Sequence, residues 1–155
     1  MDVGTFTAHR RTLACPAGDI AYTEFGDGAA PVALFVHGLG TNGARWRHVI
    51  EHLSDTSRCV AIDLPAHGGA PARADVSVAA MAGMIAELCD GLGLGQVDLV
   101  GNDTGGAVAQ IFAARHPRRI RRPSGRCAPW TRRRCLSGGT GTRRSASRGR
   151  MSCAT

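Results

Sequence analysis

No lysine occurs in the chain, so all 19 of its basic residues are arginines. That pattern points to a GC-biased gene rather than to a surface selected for phosphate binding. The apolar runs are short, Val32–Val36 being typical, which excludes a bilayer-spanning helix of about 20 residues. No C-x-x-C pair exists, and no histidine follows His116 to join Cys127, Cys135 and Cys153 in a zinc site. No metal or cofactor is therefore expected. Met1-Asp2-Val3-Gly4-Thr5 has neither a basic start nor an apolar stretch behind it. No export signal is read there, a cytoplasmic location is expected, and disulfides are not. Cys15, Cys59 and Cys89 read instead as small buried apolar side chains.

Acidic residues are absent after Asp103, and this divides the chain. Residues 1–120 hold nine arginines against twelve carboxylates, a net charge of −3, whereas residues 121–155 hold ten arginines and no carboxylate, a net charge of +10. The overall +7 describes neither part. The second part is Arg, Gly, Ser, Thr, Ala and Pro with little apolar periodicity. It cannot bury enough surface to offset its ordering entropy, so disorder is expected. Its clusters Arg132-Arg133-Arg134 and Arg143-Arg144 allow a rival reading, a scaffold with a tail that binds nucleic acid or an acidic surface. Trp130 is the tail's sole aromatic residue and no nucleic-acid motif is present, which weighs against that reading.

At 155 residues and 43% apolar content the chain has the length and composition to bury one globular core. Segments 5–14 and 19–25 flank the turn Pro16-Ala17-Gly18 and read as an antiparallel hairpin. Val32–Val36 is continuously apolar, as in a strand buried on both faces. A helix is expected over 44–53 with Trp46, Val49, Ile50 and Leu53 on its buried face. A second buried strand follows at 59–62. Ser77 is placed to cap a helix over 78–92, with Met81, Ile85, Leu88 and Leu92 on its stripe. A strand at 97–100 and a helix at 105–115 complete the order. This alternation predicts an α/β architecture, a hairpin leading into a mostly parallel sheet with helices on both faces.

Gly101-Asn102-Asp103-Thr104-Gly105-Gly106 lies between an apolar strand and a helix. That is the setting of a nucleophile elbow, a sharp turn that exposes its central side chain, with Asp where the pattern G-x-S-x-G has Ser. The bland alternative is a glycine-rich turn in which Asp103 caps the helix. His37-Gly38-Leu39-Gly40 directly follows the strand Val32–Val36. There the backbone N–H of Leu39, with that of Thr104, would form an oxyanion hole, while His37 organises the loop. Asp63-Leu64-Pro65-Ala66-His67-Gly68 is close to a D-x-x-G-x-G segment and reads as loop-shaping, with His67 on the wrong segment to be a base.

Taken together, V-A-L-F-V-H-G-L-G, V-A-I-D-L-P-A-H-G and L-V-G-N-D-T-G-G-A-V-A-Q-I-F-A-A-R-H-P resemble the α/β-hydrolase fold family over residues 5–120. The aspartate at the elbow is similar to the haloalkane dehalogenase and epoxide hydrolase branch. That resemblance implies attack of Asp103 on an sp³ carbon of a small-molecule substrate and an ester intermediate that a His-activated water cleaves. It implies loop-shaping roles for His37, Gly38, Gly101, Gly105 and Gly106. Many dehalogenases carry Trp after the nucleophile and Asn after H-G, and here Thr104 and Leu39 stand there. The epoxide hydrolases usually show H-G-x-P, and here Gly40 takes the last place. The oligomeric state is open.

The family's acid and histidine follow the nucleophile in chain order, and after Asp103 this chain has no carboxylate and a single histidine, His116. A truncated, inactive chain is therefore expected. Its open sheet edge predicts poor solubility. The arginine surge after Ile120 suggests a shift of reading frame near residues 120–123. Reading the nucleotide sequence downstream of codon 120 in all three frames is expected to reveal an apolar strand, and later an acid and a histidine, out of register. A frame intact through residue 155 in several independent isolates contradicts this.

Overall fold

A computed structural model describes residues 1–121 of the protein. Residues 122–155, with their arginine clusters and cysteines, lie outside the described residues. The elements are α1 (Val3–Ala8), β1 (Arg10–Leu13), β2 (Ile20–Phe25), β3 (Val32–Val36), a 3₁₀ turn (Gly43–Trp46), α2 (Arg47–Leu53), β4 (Arg58–Ile62), α3 (Val78–Gly91), β5 (Val97–Gly101), α4 (Thr104–Arg115) and a second 3₁₀ turn (Pro117–Arg119).

The strands form one sheet in the order β1-β2-β4-β3-β5. β1 and β2 pair antiparallel, as does β2 with β4. β3 runs parallel to β4 on one side and to β5 on the other. The period of two along the strands separates two cores. Leu34, Val36, Val60 and Ile62 face one side with Met81, Ile85, Leu88, Val108 and Phe112 from α3 and α4. Phe35, Cys59 and Ala61 face the other with Phe6, Ala44 and Ile50. Every residue of β3 is buried, as its unbroken apolar run predicts. β5 is not: Val97 is buried, whereas Val100 is 37% exposed, because α1 and α2 contribute their apolar residues over β3 and β4. Ile120 forms a parallel bridge to Val97 and Arg121 N–H donates to Val97 O at 3.0 Å. The chain thus returns from α4 to the outer edge of β5.

Three sequence expectations need correction. The strand read over 5–14 is in fact α1 followed by the short β1. Asp2 caps that helix, accepting from Thr5 N at 2.8 Å and from Thr5 Oγ1 at 2.6 Å. Phe6 is fully buried and packs 5.6 Å from the Phe25 ring. A six-residue helix has little stability of its own, so the cap and the tertiary contact decide its state. The helix read over 44–53 starts as the 3₁₀ turn, capped by Asn42, which accepts from Ala44 N at 3.0 Å. Three residues per turn instead of 3.6 shifts the phase of the faces. Ile50 is accordingly buried, but Val49 and Leu53 are exposed. Finally, Cys59 and Cys89 are buried, but Cys15 is half-buried in the hairpin turn. Burial pushes the Cys89 thiol up to about 11.

The remaining elements follow the sequence closely. Gly18 N–H donates to Cys15 O at 2.9 Å, closing the hairpin turn around Pro16-Ala17. Ser77 caps α3 by accepting from Ala80 N at 3.2 Å. Among the described residues no helix is long and apolar enough to cross a membrane. Because α1 depends on one buried side chain, Phe6→Ala is expected to destabilise the protein by about 3–5 kcal/mol. A urea titration followed by tryptophan fluorescence measures this, and a loss below about 1 kcal/mol would mean that α1 does not pack on the sheet.

Candidate active site

In sequence order the parallel strands are β3, β4, β5, but in the sheet β3 lies between the other two. The chain leaves β3 toward the Phe6–Ile50 face and leaves β5 toward the α3–α4 face. The loops therefore diverge at the C-terminal ends of β3 and β5 and open a crevice between them, the usual ligand position in such a sheet. Val36 and Gly101, the last residues of the two strands, are partners in register. The H-G-L-G loop and the Asp103 turn are thus held side by side.

Asp103 joins β5 to α4 with φ 53° and ψ −126°. A positive φ is costly for a residue with a side chain, by about 1–2 kcal/mol. The side chain makes no cap hydrogen bond to α4, so the capping alternative does not describe it. Its Oδ2 instead accepts from Leu39 N at 3.1 Å, across 64 residues of sequence. Thr104 opens α4, so its amide is among those that a helix's own ladder leaves free.

The glycines around this turn differ in what they permit. A Cβ on Gly105 would lie 2.4 Å from both Val36 O and His37 O, and one on Gly101 would lie 2.4 Å from Gly105 O. One on Gly38 would lie 2.7 Å from Asp103 Cβ. At Gly106 the nearest contact would be an ordinary 3.7 Å. Close approach of β3, β5 and α4 thus requires three of the four loop-shaping glycines.

His37 is fully buried. Its Nε2 accepts from Leu64 N at 2.9 Å and its Nδ1 lies 2.8 Å from Gly38 O. Nδ1 therefore carries the proton. Burial lowers its pKa despite the Gly38 carbonyl, which keeps the ring neutral. It ties the loop after β3 to that after β4. Asp63, also buried, accepts from Gly43 N at 2.7 Å through Oδ1 and from Gly69 N at 2.9 Å through Oδ2. Arg10 Nε lies 3.2 Å from Oδ2. These partners compensate a carboxylate that would otherwise be costly to bury.

Beside the turn lies an apolar cleft of about 330 Å³. Leu64, Val76, Val78 and Met81 line it, with Leu39 and Thr104 next to Asp103, and Ala66 and His67 on the β4 loop. Val76, Val78 and Met81 are site residues that motif reasoning missed, since they read as helix and loop packing. Among the described residues no group of three or more His, Cys, Asp or Glu side chains could hold a metal ion.

A family model described as the alpha/beta hydrolase fold matches residues 31–129, more than half of the chain. The chain belongs to the α/β-hydrolase fold family. Over 102 residues (65% of the chain) it is 37% identical to the dihydrolipoyllysine-residue acetyltransferase component of the acetoin cleaving system of Cupriavidus necator, and spans 27% of that protein. It is 39% identical over 98 residues (61% of the chain) to epoxide hydrolase 3 of Xenopus tropicalis, again 27% of that protein. A haloalkane dehalogenase loop variant from Bradyrhizobium elkanii superposes with a TM-score of 0.65 at 32% identity, over 72% of this chain and 38% of that one. The chain thus spans well under half the length of these α/β-hydrolase relatives, and their differing named activities fix a fold rather than a substrate.

One departure from the D-x-x-G-x-G pattern has a structural consequence. Ala66 stands at the first glycine position and adopts φ 61°, one of two non-glycine residues at positive φ among the described residues. Relief of that strain makes Ala66→Gly stabilising by roughly 1 kcal/mol. Denaturation midpoints compared at equal m-value check this, and a destabilised variant would show that the left-handed conformation is absent.

Proposed function

We propose that this chain carries the nucleophile of an α/β-hydrolase that acts on a small, uncharged organic molecule through an ester of Asp103. The observation that carries the reading is the pair of constraints on Asp103, its positive φ and the Leu39 N–H bound to Oδ2 at 3.1 Å. One carboxylate oxygen is held, and the other is free of hydrogen bonds among the described residues. A free carboxylate oxygen can donate an electron pair to an sp³ carbon as the bond to the leaving group breaks and that pair departs with it. The product is an alkyl ester. Addition of water to its carbonyl carbon would place negative charge on the oxygen that the Leu39 N–H holds, and the Thr104 N–H at the start of α4 is the proposed second donor. Collapse would release the alcohol and restore the carboxylate.

That second step needs a base. His116 is the one histidine after Asp103, and it caps the far end of α4, a helix of 12 residues. At about 1.5 Å per residue it stands roughly 18 Å from the nucleophile, stacked 5.0 Å from the Phe112 ring. Both ring nitrogens of His67 have backbone partners, Pro65 O at Nδ1 and Gly40 N–H at Nε2. Within these 155 residues the reaction therefore halts at the ester. The apolar lining of the cleft, with no charged side chain among its described residues, supports an uncharged substrate.

The test is covalent trapping. The full chain is incubated with a reactive epoxide or haloalkane and examined by intact and peptide mass spectrometry. One adduct per chain is expected on the peptide containing Asp103, persisting for hours and absent in Asp103→Asn. Equal labelling of that peptide in both proteins, or multiple turnover by the full chain, contradicts the reading.

A further inference from the structure

We propose that His67 is a positioning residue for the oxyanion donor. Through Gly40 its imidazole fixes the turn that aims Leu39 N–H at Asp103. The inference rests on the Asp103 reading above and goes beyond it, since motif reasoning gave His67 no part in the reaction.

The tautomer follows from the partners. Nδ1 lies 2.8 Å from Pro65 O, and a carbonyl oxygen only accepts, so Nδ1 carries the proton. Nε2 is then the acceptor, and Gly40 N–H donates to it at 3.3 Å. Both ring nitrogens are used within the protein, which removes His67 as a general base and gives it a mechanical task instead.

That task is needed because little else holds the turn. Gly40 has φ 71°, and a Cβ built there would touch nothing within 4 Å. Leu39 is 71% exposed. Packing therefore does not fix the peptide planes at 39 and 40. Hydrogen bonds do: Thr41 Oγ1 donates to Gly38 O at 2.9 Å, His37 Nδ1 to the same oxygen at 2.8 Å, and Gly40 N to His67. His67 is itself anchored. It follows Ala66 at φ 61°, precedes Gly68 at φ 54°, and its ring lies 5.2 Å from that of buried His37. A continuous path thus runs from the end of β4 through His67 and Gly40 to Leu39 and Asp103 Oδ2.

Replacing the acceptor while keeping size separates positioning from bulk. Gln places an amide oxygen near the position of Nε2 and can still accept from Gly40, whereas Leu cannot. The full chain, His67→Leu and His67→Gln are first alkylated at Asp103 and then treated with hydroxylamine. Hydroxylamine nitrogen adds to the ester carbonyl, the alcohol leaves, and Asp103 becomes a hydroxamic acid. That addition develops the oxyanion, so it reads the aim of Leu39 N–H, whereas ester formation does not. Labelling is driven to completion in each protein before hydroxylamine is added, so release is compared from the same ester whatever the substitution in the cleft wall does to its formation. Release is expected to slow about tenfold or more in His67→Leu and to recover in His67→Gln, a fraction of the 10²–10³ lost when an oxyanion donor is removed outright. Amide exchange at Gly40 is expected to accelerate in His67→Leu alone. Equal release rates and unchanged Gly40 exchange in His67→Leu overturn the inference while leaving Asp103 as nucleophile. Failure of the unsubstituted chain to label at Asp103 overturns the nucleophile reading as well.

Discussion

Gly38, Gly101 and Gly105 let the ends of β3, β5 and α4 meet at distances that no side chain would allow, and the site depends on that approach. Placing a Cβ at Gly105 would drive it to 2.4 Å from two carbonyl oxygens of the β3 end. Relief would require moving α4 off the strand, and with it the peptide that starts at Asp103. The level ending of β3 and β5, Val36 opposite Gly101, then lets a backbone N–H from one strand's loop reach a carboxylate on the other's. Strain at Asp103 is tolerated because both ends of the turn are fixed, β5 before it by parallel pairing with the buried β3 and α4 after it by close packing on the Val36 carbonyl.

A second layer of polar contacts holds the loops around that turn. Buried His37 and Asp63 each accept backbone N–H groups from a loop other than their own, Leu64 in one case and Gly43 in the other. Neither hydrogen-bonds to the Asp103 carboxylate among the described residues. They join the connection between β3 and α2 to the loop after β4 as one platform. A hydrogen bond to a backbone donor in a buried setting is worth about 1 kcal/mol net, but leaving the donor unpaired costs more. Loss of either side chain would therefore disturb the site chiefly through the orphaned amides.

How much of this was legible in the sequence follows physical lines. β3 and β4 were visible because a strand buried on both faces needs an unbroken apolar run, and α3 because Ser77 and a 3.6-residue stripe coincide. The turn at Asp103 was visible because a glycine-flanked Asp sits between a short apolar strand and a helix. α1 was missed because six residues contain no full periodic signal, and its stability comes from Asp2 and from Phe6 contacts far along the chain. The Val49 and Leu53 face was misassigned because a 3₁₀ start changes the phase, and local composition does not announce it. The Arg10–Asp63 ion pair, the meeting of Val76 and Met81 with Leu39 and Thr104 around the cleft, and the Gly40–His67 bond all link residues distant in sequence. For Ala66 a signal did exist, an alanine where the pattern places glycine.

The family assignment and the shape of the turn converge on one contact, the Leu39 N–H to Asp103 Oδ2 hydrogen bond. Leu39 is a largely exposed loop residue, so its amide should exchange with solvent nearly as fast as in an unstructured peptide unless Asp103 holds it. Hydrogen exchange of that single amide, in the unsubstituted chain and in Asp103→Ala, measures the contact directly. The account predicts slowed exchange in the first, with protection lost by about tenfold in the second while amides within β3 are unaffected. Equal exchange of the Leu39 amide in the two proteins would contradict it.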